Sequence, residues 1–129
     1  MTGTPLEAVA LYVGINILIT LTLAILVVRQ RAKSGISLGS GGNEDLEKAI
    51  RAHGNNVEYV SIILPGLIAL GLVGAGATLV HAVGILLTLG RVAHGLGLSA
   101  DISAGRQIGT LSTWIATLAA GIGCVWTAL

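Results

Sequence analysis

Charged residues are scarce in this chain. Lys, Arg, Asp and Glu make up 10% of its 129 residues, against about 25% in an average soluble domain. Aromatic residues reach only 3%, whereas hydrophobic residues reach 53% and the mean hydropathy is +0.89. This balance excludes an ordinary soluble domain and indicates an integral membrane protein. The net charge of +1, without a basic stripe interleaved with aromatics, excludes nucleic-acid binding.

Cysteine is equally scarce. The single cysteine, Cys124, permits no disulfide within the chain, and no metal site can rest on it alone. Residues 1–28 contain no Lys or Arg, whereas a signal peptide would begin with positive charge. We therefore expect the first apolar stretch to be a retained transmembrane helix.

Four stretches are apolar enough to span a bilayer, which takes about 20 residues each. They lie at roughly residues 6–28, 57–72, 79–98 and 108–129. Asn43 predicts an N-cap after a Gly/Ser-rich linker, so the second helix should begin at residue 44 with a polar extension. Short connections place consecutive spans side by side and antiparallel. The predicted fold is all-α, a single up-down-up-down four-helix bundle in the membrane over residues 1–129.

Positive charge predicts the orientation. All seven Lys and Arg residues lie in or beside the first and third connections. By the positive-inside rule both termini face outward and the charged loops face the cytoplasm. The expected location is the cell membrane, and the inner membrane if the source is a Gram-negative bacterium.

The second span opens with polar residues on one face. At about 100° per residue, Asn55 lies about 40° to one side of Arg51, and Glu58 about 20° to the other. Tyr59 borders this stripe. An ionised carboxylate facing hydrocarbon costs at least ~2.5 kcal/mol, so the face is expected to line a polar cavity. The guanidinium of Arg51 can bind a carboxylate, the amide of Asn55 can donate and accept, and Glu58 can accept a hydrogen bond from an amine. Together these groups suit a small zwitterion.

Two structural explanations of this stripe stay open. Glu47 precedes Arg51 by one helical turn and is a possible ion-pair partner. Alternatively, Glu58 is neutralised by an arginine of another helix, such as Arg91.

The third and fourth spans add polar groups on the cytoplasmic side. Arg91 and His94 share a face of the third span, and Arg106 opens the fourth. An arginine here suits an anionic ligand, and a histidine suits a hydrogen bond or proton transfer.

Other residues of the spans are predicted to be structural. Asn16 is expected to make an interhelical hydrogen bond. Trp114 and Trp126 are expected to be packing or interfacial anchors, and His81 to be interfacial. Pro65 is expected to kink the second span. The GxxxG pattern from residue 105 to residue 109 is expected to permit close helix packing.

The segment from Glu47 to Tyr59 resembles a known signature. In the MAPEG family, the membrane-associated proteins in eicosanoid and glutathione metabolism, it reads E-R-x-x-R-A-x-x-N-x-x-E-Y/N at the start of the second span. Gly90-Arg91-Val92-Ala93-His94 is similar to the corresponding part of the prostaglandin E synthase branch. The resemblance covers nearly the whole chain.

The resemblance implies a homotrimer that binds glutathione, as co-substrate, between neighbouring subunits near the cytoplasmic face. The residues that it places around glutathione are Arg51, Asn55, Glu58, Tyr59, Arg91, His94 and Arg106. Arg31 resembles an arginine that lies near the thiol in some members, which makes it a candidate catalytic residue. One position departs from the family, because Leu98 stands where relatives usually carry a tyrosine.

The implied function is a glutathione-dependent transferase or peroxidase of the membrane that acts on lipophilic electrophiles. The alternative is a non-catalytic trimeric protein of the same fold that binds a thiol or lipid, and Leu98 favours this alternative. A small four-span transporter is disfavoured, because no acidic residue lies deep in a span.

Overall fold

A computed structural model describes residues 3–129, which form four helices in chain order: α1 Pro5–Ser34, α2 Glu44–Leu72, α3 Ala77–Ser99 and α4 Ser103–Ala128. Each is long and apolar enough to cross a membrane. The all-α prediction is confirmed, and α1, α2 and α4 run beyond the apolar stretches at the end of the bundle that carries the charged connections. Intrahelical hydrogen bonding continues through polar residues after the apolar run has stopped.

Local sequence explains where the first two helices begin. Thr4 caps α1 by accepting a hydrogen bond from the backbone N–H of Glu7, whose carboxylate accepts one from the Thr4 N–H in return. α1 ends at Ser34, and the C-cap residue Gly35 follows it with a φ of 70°. The predicted N-cap of α2 is confirmed, since the Asn43 side chain accepts a hydrogen bond from the Leu46 N–H at 2.9 Å. α2 stays helical through Pro65.

The four helices pack on one another unequally. α3 and α4 have the most extensive contact, while α2 packs against the other three helices. Within residues 3–129, α1 packs against α2 and α3 but not against α4. The core between the helices is apolar and includes Tyr12, Ile63, Leu67, Leu87 and Ala116.

Glycine sets the closeness of α3 and α4. A Cβ added to Gly97 would lie 2.6 Å from the backbone nitrogen of Arg106. One added to Gly109 would lie 2.5 Å from the backbone nitrogen of His94. The two backbones therefore touch where only glycine fits, and the predicted close packing of the GxxxG pattern is confirmed.

An ion pair joins α2 to the turn between α3 and α4 at the charged end of the bundle. Lys48 in the polar extension of α2 donates to the carboxylate of Asp101 in the turn between α3 and α4. Asp101 has a φ of 57°, in the left-handed region that favours glycine. The hydrogen bond that Lys48 donates to Asp101 raises the pKa of Lys48 above its ordinary value of 10.5.

Candidate functional site

Arg91 is the centre of the site. Its side chain is 1% exposed, and its Nη2 donates a hydrogen bond of 3.0 Å to Oδ1 of Asn55 on α2. Its Cζ lies 5.3 Å from the centroid of the Tyr59 ring, within the range of a cation–π contact. Within residues 3–129, Nε and Nη1 have no hydrogen-bond partner. The chain therefore buries a guanidinium that is held in place but not neutralised within the described residues.

The position of Arg91 follows from the α3–α4 contact. Gly90 turns toward α4, where an added Cβ would lie 2.9 Å from Oγ1 of Thr113. Arg91 is the next residue and lies about 100° further round the helix, so its side chain extends toward α2.

His94 follows Arg91 by about one turn of α3. It is 8% exposed and lies against the backbone at Gly109. The sequence placed both residues on one face of α3, and the structure buries both. The close approach of α4 fixes the backbone of His94 one turn after Arg91.

Tyr59 connects α2 to α4. The indole Nε1 of Trp114 donates a hydrogen bond of 2.7 Å to the Tyr59 hydroxyl. Trp114 is 56% exposed and was predicted to be a packing or interfacial anchor, but it also contacts the site. One signal was available in the sequence, because Arg106, Thr110 and Trp114 recur every four residues on one face of α4. These three residues line a groove of about 320 Å³.

Three of the remaining predicted contacts lie on the surface of the chain. Arg51 and Glu58 are exposed on α2, and Arg106 is exposed near the start of α4. Within residues 3–129 the one ion pair is that of Lys48 and Asp101. Neither structural explanation of the stripe is formed within these residues: Glu47 does not pair with Arg51, and Glu58 does not pair with an arginine.

Arg31 has a different local role. Its Nη1 donates to the carbonyl oxygens of Ile36 at 3.3 Å and Gly39 at 3.0 Å. These bonds order the loop that follows α1. In the part of the chain that the structure describes, no hydrogen bond joins Arg31 to the residues around Arg91.

A line of polar contacts lies between α1 and its neighbours. The predicted interhelical bond of Asn16 is confirmed, since its Nδ2 donates to Oγ1 of Thr88 at 3.0 Å. Asn56, which the sequence did not single out, donates to Oγ1 of Thr20 at 2.8 Å. His81 accepts from or donates to the hydroxyl of Tyr12 at 2.9 Å.

Comparison with known proteins shows which family the sequence matches. The sequence model of the MAPEG family matches residues 9–126. The inner membrane protein YecN of Escherichia coli (strain K12) is 34% identical over 117 residues, which cover 91% of this chain and 89% of YecN.

A second relative matches over nearly the whole chain. The uncharacterized protein sll1147 of Synechocystis sp. is 32% identical over 130 residues, covering 98% of this chain and 94% of the relative. No solved structure matches the chain. With four helices able to span a bilayer and an inner membrane protein among its relatives, the chain is an integral membrane protein. It belongs to the MAPEG family.

Proposed function

We propose that this protein is a glutathione-dependent transferase or peroxidase of the membrane that acts on lipophilic electrophiles. Glutathione binds between neighbouring protomers of a homotrimer, near the cytoplasmic face. The observation that carries the proposal is the buried Arg91 guanidinium, which has two hydrogen-bond donors without a partner in residues 3–129.

An unpaired arginine in a membrane span calls for an anion. Placing arginine at the centre of a span costs about 2.5–3.5 kcal/mol on insertion scales. The Asn55 amide and the Tyr59 ring offset part of this cost, but neither carries a full negative charge. A carboxylate would use both free donors of the guanidinium fork and neutralise it. Glutathione carries two carboxylates.

The exposed charges support a site shared between protomers. Arg51, Glu58 and Arg106 lie on the surface of one protomer, whereas Arg91 is buried. Three arginines against one glutamate match a ligand with more carboxylates than amines. A second copy packed on this surface would cover these charges, so that ligand and protein neutralise each other away from water.

The chemistry requires a thiolate next to an apolar substrate. Hydrogen-bond donors such as a guanidinium favour the charged thiolate and lower the pKa of a bound thiol. In conjugation, the thiolate sulfur forms a bond to the electrophilic carbon, which transfers its electron pair to a leaving group or, in an addition, to a neighbouring atom that takes up a proton. In peroxide reduction, two thiols are oxidised to one disulfide while the hydroperoxide becomes an alcohol and water. Holding a water-soluble thiol beside a substrate dissolved in the bilayer supplies rate through proximity.

Leu98 favours a second candidate, a trimeric protein that binds a thiol or lipid without catalysis. It lies half-buried one turn after His94, where the family usually has a tyrosine. The missing hydroxyl removes one donor to a bound thiolate. The contacts of Arg91 with Asn55 and Tyr59 do not involve residue 98 and are kept.

Titration calorimetry of glutathione into the detergent-purified oligomer tests the proposal. We expect saturable binding that Arg51→Ala weakens at least about tenfold, because a hydrogen bond to a charged group contributes about 1.5–3 kcal/mol. The matched control is Arg29→Ala, another exposed arginine near the cytoplasmic end, which should bind like the unmodified protein.

Both proposals make separate forecasts for activity. Turnover of a lipophilic electrophile or hydroperoxide that is lost in Arg51→Ala supports the enzyme, whereas binding without turnover supports the second candidate. An intact oligomer that binds no glutathione contradicts the proposed site. Equal weakening in both arginine variants would show attraction by general positive charge rather than a specific contact.

A further inference from the structure

The hydrogen bond between Trp114 and Tyr59 has a direction that matters for the ligand. Indole has a donor and no acceptor, so the Trp114 N–H must donate and the Tyr59 oxygen must accept. A hydroxyl has one hydrogen, and in Tyr59 this hydrogen is left free to donate elsewhere. Within residues 3–129, the Tyr59 hydroxyl makes no other hydrogen bond.

The ring of Tyr59 is fixed from both sides. Its face carries the Arg91 guanidinium at 5.3 Å, and its hydroxyl is held by α4 at 2.7 Å. A tyrosine rotates about two side-chain bonds, and these two contacts select one orientation. The hydroxyl therefore has a defined place at the edge of the ring that the Arg91 guanidinium covers.

We propose that Trp114 is a positioning residue that fixes the Tyr59 hydroxyl as a hydrogen-bond donor to the anion bound by Arg91. This inference rests on the proposed function and extends it to a residue outside the predicted contacts. By accepting from Trp114, the phenol oxygen orients its own hydrogen away from the indole. The bound carboxylate or thiolate receives a third donor, in addition to Nε and Nη1 of Arg91.

A purely structural role for the same bond makes a different forecast. If the bond only fastened α4 to α2, removing it would lower the stability of the oligomer and leave ligand affinity alone. Trp114 is 56% exposed, so a smaller side chain can replace it without leaving a cavity in the core. Trp114→Phe keeps an apolar ring and removes the N–H. Tyr59→Phe cuts the same bond from the other side and keeps the ring under Arg91.

The test is a double-mutant cycle on glutathione affinity, measured by calorimetry with the detergent-purified oligomer. We expect Tyr59→Phe to weaken binding about tenfold, as expected for a lost hydrogen bond to a charged group. Trp114→Phe should weaken it about threefold to fivefold, because the hydroxyl remains but loses its orientation. The double variant should bind like Tyr59→Phe alone, because Trp114 acts only through that hydroxyl.

Fluorescence supplies a readout that a structural fastening would not change. In a Trp126→Phe background, Trp114 is the one remaining tryptophan, and Trp126 is 80% exposed near the end of α4. Glutathione should change the Trp114 emission in this background, and the added Tyr59→Phe change should remove the response. Trp126→Phe alone should bind glutathione with unchanged affinity.

The outcomes separate this inference from the proposed function. If the unmodified protein binds no glutathione, the proposed function fails first. If it binds glutathione and Trp114→Phe leaves the affinity unchanged, or the two effects add in the double variant, the positioning role is wrong. Should Trp114→Phe fail to assemble, the fluorescence response decides: an unchanged Trp114 emission on glutathione binding, or a response that persists in Tyr59→Phe, contradicts the positioning role.

Discussion

Replacing Arg91 with methionine tests whether the buried guanidinium is unpaired before a ligand binds. Methionine keeps much of the length and apolar volume of the side chain and removes the charge. Three effects decide the result. The variant avoids about 2.5–3.5 kcal/mol for arginine within a span. It loses a charged hydrogen bond to Asn55 of about 1.5–3 kcal/mol and a cation–π contact with Tyr59 of about 0.5–2 kcal/mol.

These contributions nearly cancel. We therefore expect the free energy of unfolding of the ligand-free Arg91→Met variant to stay within about 2 kcal/mol of the unmodified protein. A guanidinium that was already paired with a carboxylate would behave differently, because removing one partner of a buried pair costs about 3–5 kcal/mol. The size of the change therefore distinguishes the two states of Arg91.

The assay is unfolding of the detergent-purified protein, with and without glutathione. A ligand at about 100 times its Kd stabilises the folded state by about 2.7 kcal/mol. The unmodified protein should gain this stability and Arg91→Met should gain none, while Arg29→Met serves as the exposed control. Destabilisation of about 3–5 kcal/mol without ligand would show that a carboxylate, from a neighbouring copy, already neutralises Arg91. Full stabilisation of the variant by glutathione would show that Arg91 does not contact the ligand.

Two further predictions follow from the packing and the surface charge. Gly97→Ala should destabilise the bundle by about 1–3 kcal/mol in thermal unfolding, because its Cβ would lie 2.6 Å from a backbone nitrogen of α4 that cannot move alone. The Lys48–Asp101 pair should stabilise the protein below the ordinary Lys pKa of 10.5 and lose its effect as the pH rises through the raised pKa of Lys48. Melting temperatures measured between pH 9 and pH 12 should therefore fall with increasing pH.

Each prediction has a matched control in the same chain. Gly121→Ala makes the same change within α4 at a position where an added Cβ meets no atom within 4 Å, so it should not destabilise. Equal effects of the two glycine variants would contradict the close-packing argument. Asp101→Asn should remove the part of the fall in melting temperature that comes from Lys48. An unchanged pH profile in Asp101→Asn would show that the ion pair does not contribute.

Much of the fold could be read from the order of residue types. Apolar runs of sufficient length predicted four helices, and Asn43 predicted the beginning of α2, because span length and capping depend on neighbouring residues alone. The alignment of Arg51, Asn55 and Glu58 followed from the 3.6-residue period of one helix. The family signature depends on the same local spacing, which is why the sequence was enough to recognise it.

The contacts between helices were decided by the tertiary structure. Spacing along one helix gives angles within that helix but not its rotation against a neighbour. The pairing of Arg91 with Asn55 and Tyr59, and of Trp114 with Tyr59, depends on such rotations. The glycines of α3 and α4 fix how these two helices pack on each other, because only residues without a Cβ allow the two backbones to touch. The sequence by itself therefore determined the helices, their caps and the polar stripe, while tertiary packing determined which polar atoms meet and which donors of Arg91 remain without a partner.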